Sequence, residues 1–222
     1  MNYWDKLMTD DENAAGYMLN YGEGPGSPLR HFIGNLINDG ESVLDVGCGP
    51  GWNLDHFIKY GPAIRAYRGL DYSERFVRVA NERWSRGVWY KSIQPENIDY
   101  WTYPIFRLGD CRKLKEPDNS WDVVILQDVL EHTNGYKKPI HEALRVARRR
   151  VIVTFWHLTE DDDHININPE ENDLDGWGAW YSRPKWENFL DALEVNWLHD
   201  ELPRKGEDTK WDVYIIDKEQ TC

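Results

Sequence analysis

Long apolar runs are missing from this sequence: the longest, such as Val123–Leu126 and Val151–Val153, fall far short of the roughly 20 residues a membrane-spanning helix needs. A secretory leader is missing too, since the opening MNYWDKLMTDDE places acids where a signal peptide has a basic start and an apolar stretch. Cysteine is scarce. Cys48, Cys111 and Cys222 are an odd, widely spaced set with no Cys-x-x-Cys pair, which argues against a zinc knuckle or a disulfide framework and fits free thiols in a reducing compartment. The expectation is a cytoplasmic protein that does not span a membrane. Positive charge is also in deficit. Set against 39 Asp and Glu, the 26 Lys and Arg leave a net charge of −13, which disfavours nucleic acid as a partner. Neither repeats nor extended low-complexity segments are found.

What the chain has instead is aromatic side chains, with 12 Trp, 12 Tyr and 6 Phe in a markedly polar sequence. So many rings require either a core or a binding surface. A length of 222 residues suits one full-sized domain, 1–222. Ser27-Pro28 followed by Leu29, Phe32, Ile33, Leu36 and Ile37 marks a capped helix that stops at Gly40. Then comes an alternation. A strand over Ser42–Val46 leads into a glycine-rich turn and a helix carrying Leu54, Phe57 and Ile58. A second strand, near Arg65–Leu70, precedes a helix with Phe76, Val77, Ala80 and Trp84 on one face. Further strands are expected at Ile105–Leu108, Asp122–Leu126 and Arg150–Phe155, with helical segments at Val129–His132 and Pro139–Ala147 between the last two. Alternation of this kind, with continuous apolar strands, implies a parallel sheet covered by helices on both faces. A helix from Ser182 is followed by strands at Val195–Leu202 and Lys210–Ile216, and the short turn at Pro203-Arg204-Lys205-Gly206 makes them an antiparallel hairpin. The fold class is therefore α/β, an open, mostly parallel sheet of seven strands closed by a C-terminal antiparallel hairpin. Residues 1–26, 85–104 and 157–183 fall outside the alternation and are read as lid segments; 156–183 holds eight acids and no Lys or Arg before Arg183.

In such a sheet ligands bind beyond the C-terminal strand ends. The turn after the first strand is Asp45-Val46-Gly47-Cys48-Gly49-Pro50-Gly51. Its Gly-x-Gly-x-Gly spacing, followed by Trp52, departs from the nicotinamide fingerprint. Asp45 beside the loop opposes a pyrophosphate and favours an ammonium. Asp71 ends the second strand, where a carboxylate can accept from both hydroxyls of a ribose, and Asp110 ends the third, where it could accept from an adenine amino group. Read singly, the glycines could serve only as a tight turn and Asp71 as a helix-initiating acid before Ser73.

From Ser27 to Asp217 the chain resembles the class I S-adenosylmethionine-dependent methyltransferases, through VLDVGCGPG (43–51), GLDYSERFVRVA (69–80), RLGDCRKL (107–114) and WDVVILQDVLEH (121–132). The resemblance implies a Rossmann-like fold, S-adenosyl-L-methionine as cofactor, and methyl transfer to O or N of a small molecule. By that resemblance Asp45, Gly47, Cys48, Gly49 and Gly51 hold the methionine end, Asp71 with Tyr72 beside it the ribose, Asp110 with the Cys111 backbone the adenine, and Gln127 borders the methionine. The insertion at 85–104 and the acidic segment at 157–182 depart from the family pattern.

Methyl transfer from a sulfonium is an in-line displacement dominated by alignment, so a base is needed only for an acceptor that begins protonated. His132, after the fourth strand, and His157, after the fifth, are the candidate bases, each with a packing role as the plainer reading. Asp128 stands near the position where the magnesium-using catechol type carries an acid. The run Glu160–Asp163 between His157 and His164 invites a metal, but consecutive loop acids are more often solvated, and no metal is assigned. Arg145, Arg148, Arg149 and Arg150 read as a solvated face rather than a phosphate patch. A macromolecular acceptor and a non-catalytic cofactor-binding partner stay open as alternatives.

Overall fold

A computed structural model describes residues 24, 26–85, 105–166, 178–204 and 210–218. The first two lid segments thus lie almost wholly outside the described residues, as do 167–177 of the third. Two compact units divide the chain after Asp110.

In the first unit, α1 (Pro28–Asn35) is capped by Ser27, whose hydroxyl accepts from the Arg30 N–H at 3.3 Å. Its buried face is Leu29, Arg30, Ile33 and Gly34. Phe32 and Leu36, expected in the core, are half-buried, and a cation is inside instead. Strands β1 (Ser42–Val46), β2 (Ala66–Asp71) and β3 (Phe106–Leu108) pair in parallel, β1 with β2 and β2 with β3. Helix α2 (Trp52–Tyr60) follows β1 and α3 (Glu74–Ser85) follows β2. The α3 face also differs from expectation: Phe76, Val79 and Ala80 are buried, while Val77 and Trp84 are half-buried. Gly69 in β2 has no room for a side chain, since a Cβ there would lie 2.5 Å from the Phe106 ring and 2.7 Å from Cys48 Sγ.

The second unit contains β4 (Trp121–Gln127), a short 3-10 helix (Leu130–His132), α4 (Lys137–Val146) and β5 (Ala147–Phe155), with β4 and β5 parallel. Residues 123–126 and 151–155 are wholly buried, as the unbroken apolar character of 123–126 and 151–153 requires. After β5 come β6 (Leu158–Thr159), β7 (His164–Asn166) and β8 (Gly178–Ser182), which form a three-stranded sheet in the order β6-β8-β7 that the acidic composition did not suggest. Helix α5 (Arg183–Ala192) is capped by Ser182, and β9 (Asn196–Pro203) and β10 (Lys210–Asp217) are antiparallel. Around Trp186 an aromatic core gathers Tyr136, Phe155 and Tyr214 at ring separations of 5.1–5.4 Å.

The main sheet has seven strands in the order β3-β2-β1-β4-β5-β10-β9, with β10 antiparallel to both β5 and β9. This is the expected mostly parallel α/β sheet with its antiparallel C-terminal pair. No helix among the described residues is long and apolar enough to cross a membrane.

Candidate active site

The turn from β1 to α2 is built from glycines because its backbone is left-handed at three alternate positions: φ is 76° at Gly47, 51° at Gly49 and 87° at Gly51. At Gly51 a Cβ would also lie 2.7 Å from the Phe106 ring, whereas at Gly49 it would meet nothing within 4 Å among the described residues. Among the described residues the loop is thus closed beneath Gly51 and open above Gly49. Its amides are committed: Gly47 and Cys48 donate to Leu70 O at 2.7 and 3.0 Å, and Gly51 donates to Cys48 O at 3.0 Å. Arg83 of α3 clamps the outgoing side, with its guanidinium 3.7 Å from the centre of the Trp52 ring and a bond to Pro50 O at 2.9 Å.

Asp71 ends β2 beside this loop. Oδ2 accepts from Gly49 N at 2.8 Å and Oδ1 from Ser73 N at 2.8 Å, while Ser73 Oγ accepts from Phe76 N and starts α3. The cap of α3 is therefore Ser73 and not Asp71, which holds Ser73 in place while its other oxygen fixes the carboxylate against the glycine loop. Gly109 donates to Asp71 O at 2.9 Å, which brings the end of β3 and Asp110 to the same strand edge. Asp45 is buried below the loop, where it accepts from Tyr67 and Asn53. Burial, then the charges of Asp71 and Asp45, push the Cys48 thiol well above its ordinary range.

In the second unit, Gln127 is buried at the end of β4. Asp128 follows in the left-handed region, φ 53°, held there by Thr154 of β5: its N–H donates to Thr154 Oγ1 at 3.0 Å and its Oδ1 accepts from that hydroxyl at 2.7 Å. The half-buried His132 meets the Trp156 ring edge to face at 5.4 Å, and the adjoining Glu131, fully buried, accepts from Trp156 N at 2.7 Å. Tyr181 of β8 donates to Thr133 O and accepts from Gly135 N, and burial pushes its phenol up to about 12. His157 differs from His132 in being exposed, with its ring against Trp180 at 6.2 Å.

Two expectations for the charged segments are revised. The acidic run is exposed but also paired: Glu160 binds Arg183 and Asp162 binds Lys185, each at 2.9 Å, and Asp163 accepts from Ser182 N at 2.6 Å. Among the described residues, the acids placed to share an ion are instead Glu201 and Asp212 with His199, and the cation beside them is Arg183, 2.8 Å from Asp212. The arginines after α4 form part of β5 from Ala147 onward, and Arg145, Arg148 and Arg150 pair with Asp118, Asp122 and Asp217.

A family model described as a methyltransferase domain matches residues 44–155, from the middle of β1 to the end of β5. The chain belongs to this methyltransferase family. S-adenosyl-L-methionine is the family's cofactor. An uncharacterized methyltransferase of Schizosaccharomyces pombe is 29% identical over 137 residues, 62% of this chain and 41% of that protein. A sterol 24-C-methyltransferase of Aspergillus fumigatus is 29% identical over 144 residues, 64% of this chain and 34% of that protein. The methyltransferase chain described here thus spans well under half the length of these two relatives. A structure of Haemonchus contortus phosphoethanolamine N-methyltransferase 2 with S-adenosyl-L-methionine shares the fold, with TM-score 0.68 and 15% identity over 97% of this chain and 59% of that one.

Sequence reasoning missed Arg30, Asn53 and Tyr67 around Asp45, and Arg83 above Trp52. No local pattern marks them, because each is one polar residue in an otherwise apolar or amphipathic element.

Proposed function

We propose that this protein is an S-adenosyl-L-methionine-dependent methyltransferase that methylates O or N of a small molecule. The observation that carries the cofactor reading is the Gly49–Asp71 hydrogen bond, which fixes a carboxylate against the glycine loop. The residues that would hold the cofactor are Gly47, Cys48, Gly49 and Gly51 of the loop, Asp71 and Tyr72, Asp110 and Cys111, and Gln127, with Asp45 below the loop. When bound, S-adenosyl-L-methionine supplies a methyl group on a sulfonium, the electrophile of an in-line displacement. The chain's own residues orient the reactants and handle the proton. His132 is the better-placed candidate base, because its ring is held half-buried against Trp156 beside Glu131, whereas His157 is exposed. Asp128 is held by Thr154 at the same strand end and is the second polar group available to an acceptor.

Net charge supports a small acceptor over nucleic acid. The sterol and phosphoethanolamine acceptors named for the relatives are of the same class, although the sterol enzyme is named for carbon methylation. Calorimetric titration with S-adenosylhomocysteine tests the cofactor half: binding is expected, and Asp71→Ala should weaken it about 100-fold, since hydrogen bonds to a charged group are lost. No binding at millimolar ligand would overturn it. For the acceptor half, a salt-sensitive gel shift with RNA or DNA would favour a macromolecule instead.

A further inference from the structure

Four buried polar side chains from four different elements run in series beneath the glycine loop. Tyr67 Oη of β2 donates to Asp45 Oδ2 at 2.6 Å, and Asn53 Nδ2 of α2 lies 3.2 Å from both Asp45 oxygens. Arg30 of α1 donates to Asn53 Oδ1, which fixes the amide so that its nitrogen faces Asp45. Asp45 is 1% exposed, Asn53 and Tyr67 3% and Arg30 4%. Such burial is costly unless every group is bonded and the charges balance, and here the Arg30 cation answers the Asp45 carboxylate through one intervening amide.

The placement of these residues along the chain gives the network its consequence. Asp45 stands two residues before Gly47 and Asn53 two residues after Gly51. Their hydrogen bond is therefore a strut across the base of the loop, joining the strand that enters it to the helix that leaves it. The loop in turn presents Gly49 N to Asp71. The strut thus ties Asp45 and Asn53 to the loop whose Gly49 N bonds Asp71.

We propose that Asp45 acts on the cofactor through the backbone of the glycine loop rather than by touching it, with Tyr67, Asn53 and Arg30 as the positioning residues that hold it. This rests on the cofactor reading given above. Burial pushes the Asp45 carboxyl up, and Tyr67, Arg30 and Asn53 oppose that shift. Burial and the Asp45 charge push the Tyr67 phenol well up as well, so it stays a donor.

Two ligands distinguish support from contact. S-adenosylhomocysteine carries the ammonium, whereas 5′-methylthioadenosine keeps the nucleoside and sulfur without it. Asp45→Asn and the milder Tyr67→Phe should each weaken both ligands about ten-fold, roughly the effect of one hydrogen bond to a charged group. The ratio between the two affinities should stay within about two-fold of the wild type. Amide hydrogen exchange without ligand should accelerate about ten-fold or more at Gly47–Gly51 in both variants, with β5 unchanged, a local effect that general destabilisation would not give. Loss confined to S-adenosylhomocysteine in Asp45→Asn would mean that Asp45 meets the ammonium directly and would overturn the proposal alone. Unchanged affinity and loop exchange in Tyr67→Phe would overturn it equally, even if Asp45→Asn failed to fold. Wild-type protein that binds neither ligand would overturn the cofactor reading and this proposal together.

Discussion

The unit that ends at Asp110 gathers buried charge around one loop, whereas the unit that begins at Cys111 holds the largest fully buried rings among the described residues. Arg30, Asp45, Asn53, Asp55 and His56 are all buried in the first, close to the Gly47–Gly51 turn or on the helix that leaves it. In the second, Phe155, Tyr181, Trp186 and Tyr214 are the large buried side chains, and the arginines of β5 pair with acids nearer the surface. It buries polar groups as well, among them Glu131, bonded to Trp156 N, and Asp212, bonded to Arg183 and His199. Aromatic burial stabilises a fold at little electrostatic cost, whereas burial of charge demands exact partners for a modest net gain. The polar interior therefore marks where geometry matters more than stability.

Three substitutions can break this contrast, taken from the largest effect to the smallest. Trp186→Ala should cost about 3–5 kcal/mol in urea unfolding, because a fully buried ring leaves a cavity between Phe155, Tyr136 and Tyr214. The affinity of the folded protein for S-adenosylhomocysteine should not change; a parallel loss of binding would erase the division of labour. Gly51→Ala should cost about 2–4 kcal/mol, from a left-handed backbone and collision with Phe106, and should abolish ligand binding as well. Glu142→Gln should cost about 1 kcal/mol or less and leave binding untouched. Its signature is in pH. Hydrogen bonding from Arg145, outweighing burial, holds the Glu142 carboxyl below its ordinary 4.5. The folded state thus takes up that proton less readily than the unfolded chain, so the stabilisation is complete above pH 4.5 and is lost as pH falls through the lowered value. The Gln variant should lack that slope in acid denaturation.

Local rules made much of this architecture legible from the residues. Ser27 and Ser182 announce their helices with side-chain caps, and the apolar runs at 123–126 and 151–153 lie in central strands. The glycine spacing and Asp71 identified the loop and its carboxylate before any geometry was known. What hydrophobic periodicity could not find is the cation on the inner face of α1, since a rule that places charge outside assigns Arg30 to solvent. It missed the β6-β8-β7 sheet for a related reason. These strands have two, five and three residues, and their pairing joins segments separated by an acid-rich stretch, so no period can establish itself. The Arg30–Asn53–Asp45–Tyr67 series was hidden because its members are near neighbours only after α1, β1, α2 and β2 have come together. As for the tryptophans, Trp186 and Trp211 are buried core, Trp84 is half-buried, and Trp89, Trp101 and Trp177 lie outside the described residues.

The missing side chain at Gly69 has a consequence for how this chain can diverge. The space a Cβ would need is already filled by the Cys48 thiol and the Phe106 ring. Positions 48, 69 and 106, far apart in sequence, share one small volume, and a methyl group gained at one must be surrendered at another. A substitution that a neighbour's change makes tolerable at one of these positions is therefore not tolerable alone, and the three sites change in a dependent order.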